Sequence, residues 1–251
     1  MGATGAANDI DTAATTIVAA DSSSGEIYIS ETDGVAVGTT STTAGAISIT
    51  AGGAVTTSGN ITAAGGALAI TGVNVTNTNT VTGDANGITL DAGTGTLTST
   101  AGTISNGSTA GAINLLADTD IVLASGTVTG GSGVVTLKDS GDATTVALEG
   151  GTGTIQIADA DLDTISTTGS ITIGDSNTGA IEVGGAVSTG STALTLISSG
   201  GVTLSNTVSS GALTITNAGT LTIAAGGDIS LSDAFTQNGA GAVSTAGDIV
   251  T

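Results

Sequence analysis

The residues with the best claim to chemistry are three carboxylates in the run DADLD: Asp159, Asp161 and Asp163. Clustered oxygen ligands bind hard cations, and acids at alternate positions of a strand point to one face. The three are therefore candidate metal ligands, with calcium as the candidate ion and no other cofactor implied. The match to a calcium loop ends early, because an EF-hand needs Gly where Thr164 stands and Glu where Ser170 stands. Gly150-Gly151-Thr152-Gly153-Thr154 opens like a calcium-binding nonapeptide, but Ile155 replaces the Asp that would follow. Against the metal reading stands a solvated acidic corner, the usual fate of surface carboxylates that repel one another.

Other chemistry has less to work with. The chain has no His and no Cys, and its single cation is Lys138. Disulfides, thiolate metal sites and cysteine nucleophiles are excluded. An enzyme would have to work with paired carboxylates alone, as glycosidases can, yet Tyr28 and Phe235 are the only aromatic residues available for a sugar platform. A non-enzymatic role is expected, and Lys138 next to Asp139 reads as a surface ion pair. Asn60-Ile61-Thr62, Asn74-Val75-Thr76 and Asn106-Gly107-Ser108 match the N-glycosylation acceptor. In so Thr-rich a chain they read as chance matches whose Asn side chains bond at corners. Thr pairs such as Thr96/Thr98, Thr127/Thr129, Thr214/Thr216 and Thr220/Thr222 resemble the flat arrays of solenoid ice-binding proteins. They scatter between strands of different cycles, so ordinary outward-facing strand residues explain them.

The formal charge of −20 rests on only 9% charged residues. A surface this uniformly negative excludes nucleic-acid binding, since nothing neutralises phosphate, and no apolar run reaches the ~20 residues of a membrane span. The start, MGATGAAN, lacks a basic and an apolar region, so no signal peptide is read there.

The elements that position these residues are short strands. Ile47 and Ile49 alternate with Ser48 and Thr50, the period of a strand with one buried face. First-strand markers at Ile47, Leu68, Ile88, Ile113, Val134, Ile155, Ile171, Leu194 and Leu213 recur about every 21 residues. A second strand follows at Val55, Ile121, Val202 and Leu221, and a third at Ile61, Ile104, Val128, Val187, Val208 and Ile229. Three short strands per cycle bury their apolar faces by stacking coil on coil. The expected fold is all-β: a right-handed parallel β-helix (β-solenoid) of roughly eleven or twelve coils. Gly pairs such as Gly52-Gly53, Gly65-Gly66, Gly130-Gly131, Gly184-Gly185 and Gly226-Gly227 mark corners that need positive backbone angles. Residues 1–40 read as irregular N-terminal coils or a cap, and 41–251 as the repeat array. An irregular acidic stretch at 139–168 interrupts it, carrying Asp139, Asp142, Glu149, Asp159, Asp161 and Asp163. No terminal cap is apparent.

The phrases GAISITAGGAVTTSGNIT, GAINLLADTDIVLASGTVT and GALTITNAGTLTIAAGGDISL resemble the repeat arrays of filamentous-haemagglutinin-like bacterial adhesins and exoproteins. Over about residues 41 to 250, the resemblance implies a right-handed β-helix, export to the cell surface or medium, and service as a stalk or adhesive fibre. The function expected is a structural segment of such a protein, self-associating end to end through uncapped coils and presenting a surface to a host, neighbouring-cell or surface receptor. The alternative is a cation-binding surface-layer or ligand-binding module that uses the acids of 139–168.

Overall fold

A computed structural model describes residues 10–141 and 143–251. The start MGATGAAN and Asp142 lie outside the described residues. The described chain is a parallel β-solenoid of about 11 turns spaced about 21 residues apart, with 2% helix. Every strand pairing in it is parallel, and all but one join strands of successive coils, as expected when each coil buries its apolar side by stacking.

Three faces result. Face 1 is an unbroken sheet of eleven strands from Ile10–Thr12 to Phe235–Gln237. Its inward column runs through Ile27, Ile47, Leu68, Ile88, Ile113, Val135, Ile171, Leu194 and Leu213, all buried. Each such side chain contributes about 1.5–3 kcal/mol by leaving water. Phe235, packed partly buried on the core, ends the column. Faces 2 and 3 carry columns of the same kind, such as Val55–Val75–Leu97–Ile121 and Ile61–Val81–Ile104–Val128. The early strands Thr16–Ser22 and Val35–Thr42 run unbroken round the corner between these two faces. Residues 10–42 thus stack in register with the coils that follow, Ile27 opposite Ile47 and Thr40 opposite Ile61.

The corners hold buried polar side chains that pair along the axis. Thr57 Oγ1 donates to Asn77 Oδ1 (2.7 Å), and Asn77 Nδ2 donates to Ser99 Oγ (3.1 Å), linking three coils inside the wall. Of the ten corner glycines named from the sequence, only Gly65 and Gly131 take a positive φ. The others are held by space: a Cβ at Gly52 would lie 2.2 Å from the Thr32 carbonyl oxygen of the coil before it.

Two sequence markers are corrected. Val135, not Val134, begins the face 1 strand, because Leu137 two residues on must also point inward; Val134 is exposed. Ile155 is not on face 1 at all. Val135 pairs directly with Ile171, 36 residues later, so 139–168 adds no strand to that face. It adds two to face 2, Val146–Leu148 and Ile155–Ile157, parallel neighbours in the order Ile155, Val146, Ile181.

Candidate functional site

The inserted segment begins with Lys138. Its outward side chain binds Asp175 of the next coil, Nζ to Oδ2 at 2.6 Å, rather than Asp139. Period-two alternation explains the correction: Asp139 turns inward, is 2% exposed, and accepts a hydrogen bond from the buried Thr178 hydroxyl. Burial opposes ionisation of Asp175, but Lys138 and the N–H groups of Asn177 and Thr178 outweigh it and hold the carboxyl below its ordinary range.

After Leu148 the chain returns across the outside of its own strand. Glu149 (φ 48°) and Gly150 (φ 81°) turn it back, and Ala147, which would face water in an ordinary coil, is wholly buried. The crossing is close enough that a Cβ on Gly153 would sit 2.4 Å from Ala147 N. Glu182, from the coil above, clamps the loop by accepting Thr152 N–H (2.9 Å) and Thr152 Oγ1 (2.5 Å). Those two bonds hold the Glu182 carboxyl below its ordinary range. From below, Gln156 Nε2 donates to Gly153 O at 2.5 Å.

The candidate ligands come next, and they do not lie on a strand. Residues Asp159–Leu162 form one helical turn, which sends the three acids in different directions. Asp161 is buried at 4% exposure and accepts three backbone N–H groups. Oδ1 takes Leu123 (2.6 Å) and Ala124 (2.7 Å), and Oδ2 takes Ala158 (2.9 Å). Asp159 Oδ1 accepts Ser188 N–H at 2.7 Å, and Glu149 Oε2 accepts the N–H of Asp159 at 2.6 Å. Asp163 is exposed. The premise of alternating acids on one strand face fails, and among the described residues no group of three His, Asp or Glu side chains is placed to hold a metal ion.

These carboxylates stand where the ladder is interrupted. Among the described residues no ladder joins Asp120–Val122 to the adjacent Ile155–Ile157, and Asp120 Oδ1 instead accepts Gln156 N–H at 3.2 Å. Nor does Ile165–Thr167 pair with Val187–Ser188, the next strand of face 3. Asp159 takes the Ser188 donor there. A buried N–H without an acceptor is costly, so Asp120, Asp159 and Asp161 replace the carbonyls that a regular coil would supply. Burial raises the Asp120 carboxyl above its ordinary value, and the charge of Asp161 adds to this against the lowering effect of the Ile121 and Gln156 N–H bonds.

The glycosylation matches fare unequally. Asn106 is 1% exposed with Nδ2 donating to Gly111 O at 2.7 Å, so its amide is out of reach. Asn60 and Asn74 are exposed, and their Oδ1 atoms accept Thr80 and Thr96 N–H from the following coil.

One surface was not visible in the sequence. The four Thr pairs do divide among faces, since Thr96/Thr98 and Thr220/Thr222 belong to face 2 and Thr214/Thr216 to face 1. Thr214 stands in register with Thr136, Thr172, Thr195 and Thr236, a single column beside Lys138 and Ile197, whereas on face 3 Thr127/Thr129 belongs to a register-matched set two columns wide. One outward column runs Ser41, Thr62, Thr82, Ser105, Thr129, Ser166, and the other Thr39, Asn60, Thr80, Thr103, Thr127, Thr164. Ser41 donates to Asp21, Ser105 accepts Gly107 N–H and Thr164 donates to Asp161 O. Among the described residues, the hydroxyls of Thr62, Thr82, Thr103 and Thr129 are engaged by no other group of the chain. At the Thr129–Ser166 end of this face lies an open hollow of about 350 Å³, lined by those two residues together with Gly107, Ser108, Gly131 and Ser132. No helix of the described residues is long and apolar enough to cross a membrane. No protein-family model, curated protein or solved structure matches the chain.

Proposed function

We propose that the chain is a non-enzymatic structural segment of a bacterial extracellular or cell-surface protein, a stiff spacer of the adhesin-stalk or fibre kind. The observation that supports this most is the unbroken face 1 ladder, eleven strands in one register. At about 4.8 Å per strand it extends about 48 Å along one axis. Its aliphatic columns and axial polar pairs resist bending, because flexing would separate many packed groups at once. Glu149, Asp159 and Asp161 of the inserted stretch are engaged as acceptors for backbone donors, which accords with a structural role for that segment. The likeness of the repeats to filamentous-haemagglutinin-like arrays is what suggests export and surface display.

A stalk lengthens by adding coils. The strands Phe235–Gln237, Val243–Thr245 and Ile249–Val250 are each paired on one side only among the described residues. Such a parallel edge accepts another coil, whether from the continuing chain or from a second copy by strand addition. With a net charge of −20, addition of a second copy is opposed by repulsion and favoured by salt. Small-angle scattering with electron microscopy, at low and high ionic strength, tests the reading. Rods at least as long as the face 1 ladder, growing end to end as salt rises, are expected. A compact particle of globular dimensions would refute the spacer role, and rods of constant length would refute self-stacking.

A further inference from the structure

The two outward columns of face 3, eleven hydroxyl residues and Asn60, form an uncharged grid two columns wide, whereas the threonine column of face 1 (Thr136, Thr172, Thr195, Thr214, Thr236) stands beside a column that holds Lys138 and Ile197. Register between coils sets one spacing at about 4.8 Å, and two residues along a strand set the other at about 6.6 Å. Six successive coils repeat it between Thr39 and Ser166. None of the twelve outward positions is charged, although the chain carries 21 acids. Face 1 by contrast displays Asp91 and Lys138, and face 2 displays Asp120 and Glu182. At its two ends the uncharged field is bordered by Asp21, opposite Ser41, and by Asp159, which holds the N–H of Ser188.

We propose that this field of face 3 binds the surface of ice. A solid made of water offers no charge to pair with and no apolar pocket to fill. What can hold it is a rigid plane of many weak groups repeating on the scale of its own lattice. A charged group would hinder this, because it keeps a hydration shell of its own. Threonine suits the task twice over. Its methyl group orders the adjacent water, and its hydroxyl hydrogen-bonds to that water in either sense. The β-branched side chain has few rotamers to lose, and the parallel ladder fixes every Cα before contact. Binding therefore costs little ordering of the protein. Each hydroxyl contributes weakly, so the number held in one plane sets the strength, and a single disruption near the centre removes much of it. The field is central to neither end of the solenoid, so it does not depend on what is stacked there.

The test freezes an ice hemisphere slowly in a solution of fluorescently labelled protein and compares the protein held in ice with that left in the liquid. Circular dichroism of each variant confirms the fold. Wild-type protein is expected to enter the ice, and Thr82→Lys at the centre of the field is expected to reduce its incorporation about tenfold or more. Thr89→Lys on face 1, whose column neighbours are Ala69 and Asn114, is expected to leave it unchanged. Exclusion of the wild-type protein from ice overturns the proposal. So does equal incorporation of folded Thr82→Lys, or an equal loss with Thr89→Lys. Exclusion from ice with retention on crystalline cellulose or chitin overturns it in favour of a polysaccharide surface.

Discussion

At the scale of single residues, Glu149, Asp159 and Asp161 act through the backbone groups they satisfy. Asp161 accepts three N–H groups of two successive coils from a nearly buried position. Asp161→Ala strands those donors, with a cost of about 2–4 kcal/mol seen as a lower denaturation midpoint. Asp161→Asn keeps one acceptor oxygen but turns an amide N–H toward a donor, so it falls between. An unchanged midpoint in Asp161→Ala would show that the acid holds nothing together. Asp120 gives a pH signature of opposite sense to a salt-bridged acid. Its folded pKa lies above the ordinary value, so the proton is held more tightly in the folded state. Its contribution is therefore fully present below the ordinary aspartate range and is lost as pH rises through the raised value. Asp120→Asn should stabilise the protein at pH 7, by less than about 1 kcal/mol because the group is largely solvent-screened, and the gain should vanish in acid. Equal gains at both pH values would assign the effect to something other than charge. Asp175 runs the other way: its lowered pKa supplies stability above the ordinary aspartate range that disappears as pH falls through its folded value.

At the scale of elements, the coil was legible from sequence because period-two alternation and a recurrence of about 21 residues are local signals. Ile47 and Ile49 announce their strand without help from their neighbours. The inserted segment was not legible in the same way. Ile155 and Ile157 alternate as a face 1 strand would, and only pairing with Val146 and Leu148 places them on face 2. Asp159, Asp161 and Asp163 alternate as strand acids would, yet a helical turn forms because Asp161 finds its donors in Leu123 and Ala124, distant in sequence. The hydroxyl columns of face 3 were hidden for the same reason, since register joins residues about 20 positions apart. The crossing of 149–154 over Ala147 offers the sharpest test at this scale. Gly153→Ala forces a Cβ against the backbone of Val146 and Ala147, so the loop must lift. Amide hydrogen exchange is expected to rise at Ala147 and across 149–157 while face 1 stays protected. Unaltered exchange at those amides would show that the crossing is not close-packed.

At the scale of the whole molecule, two rules coexist. Face 1 counts one strand per coil from one end to the other, while face 2 carries an additional strand where 139–168 is inserted. The stack keeps its continuity because a single face does so, and the insertion is accommodated on the others by carboxylates that stand in for ladder carbonyls. Stiffness, the property proposed to matter, depends on that continuity. Face 1 must therefore bring Thr136 and Thr172 side by side across the insertion. The chain has no cysteine of its own, so the pair Thr136→Cys and Thr172→Cys reports on this contact alone. Adjacent parallel strands hold the two Cα atoms about 4.8 Å apart, within disulfide reach, whereas one intervening strand would put them near 10 Å and out of reach. Rapid oxidation to an intramolecular disulfide, with the β-sheet spectrum and thermal midpoint preserved, is the result predicted. Thiols that stay free in the folded protein would contradict the unbroken ladder and, with it, the spacer built on it.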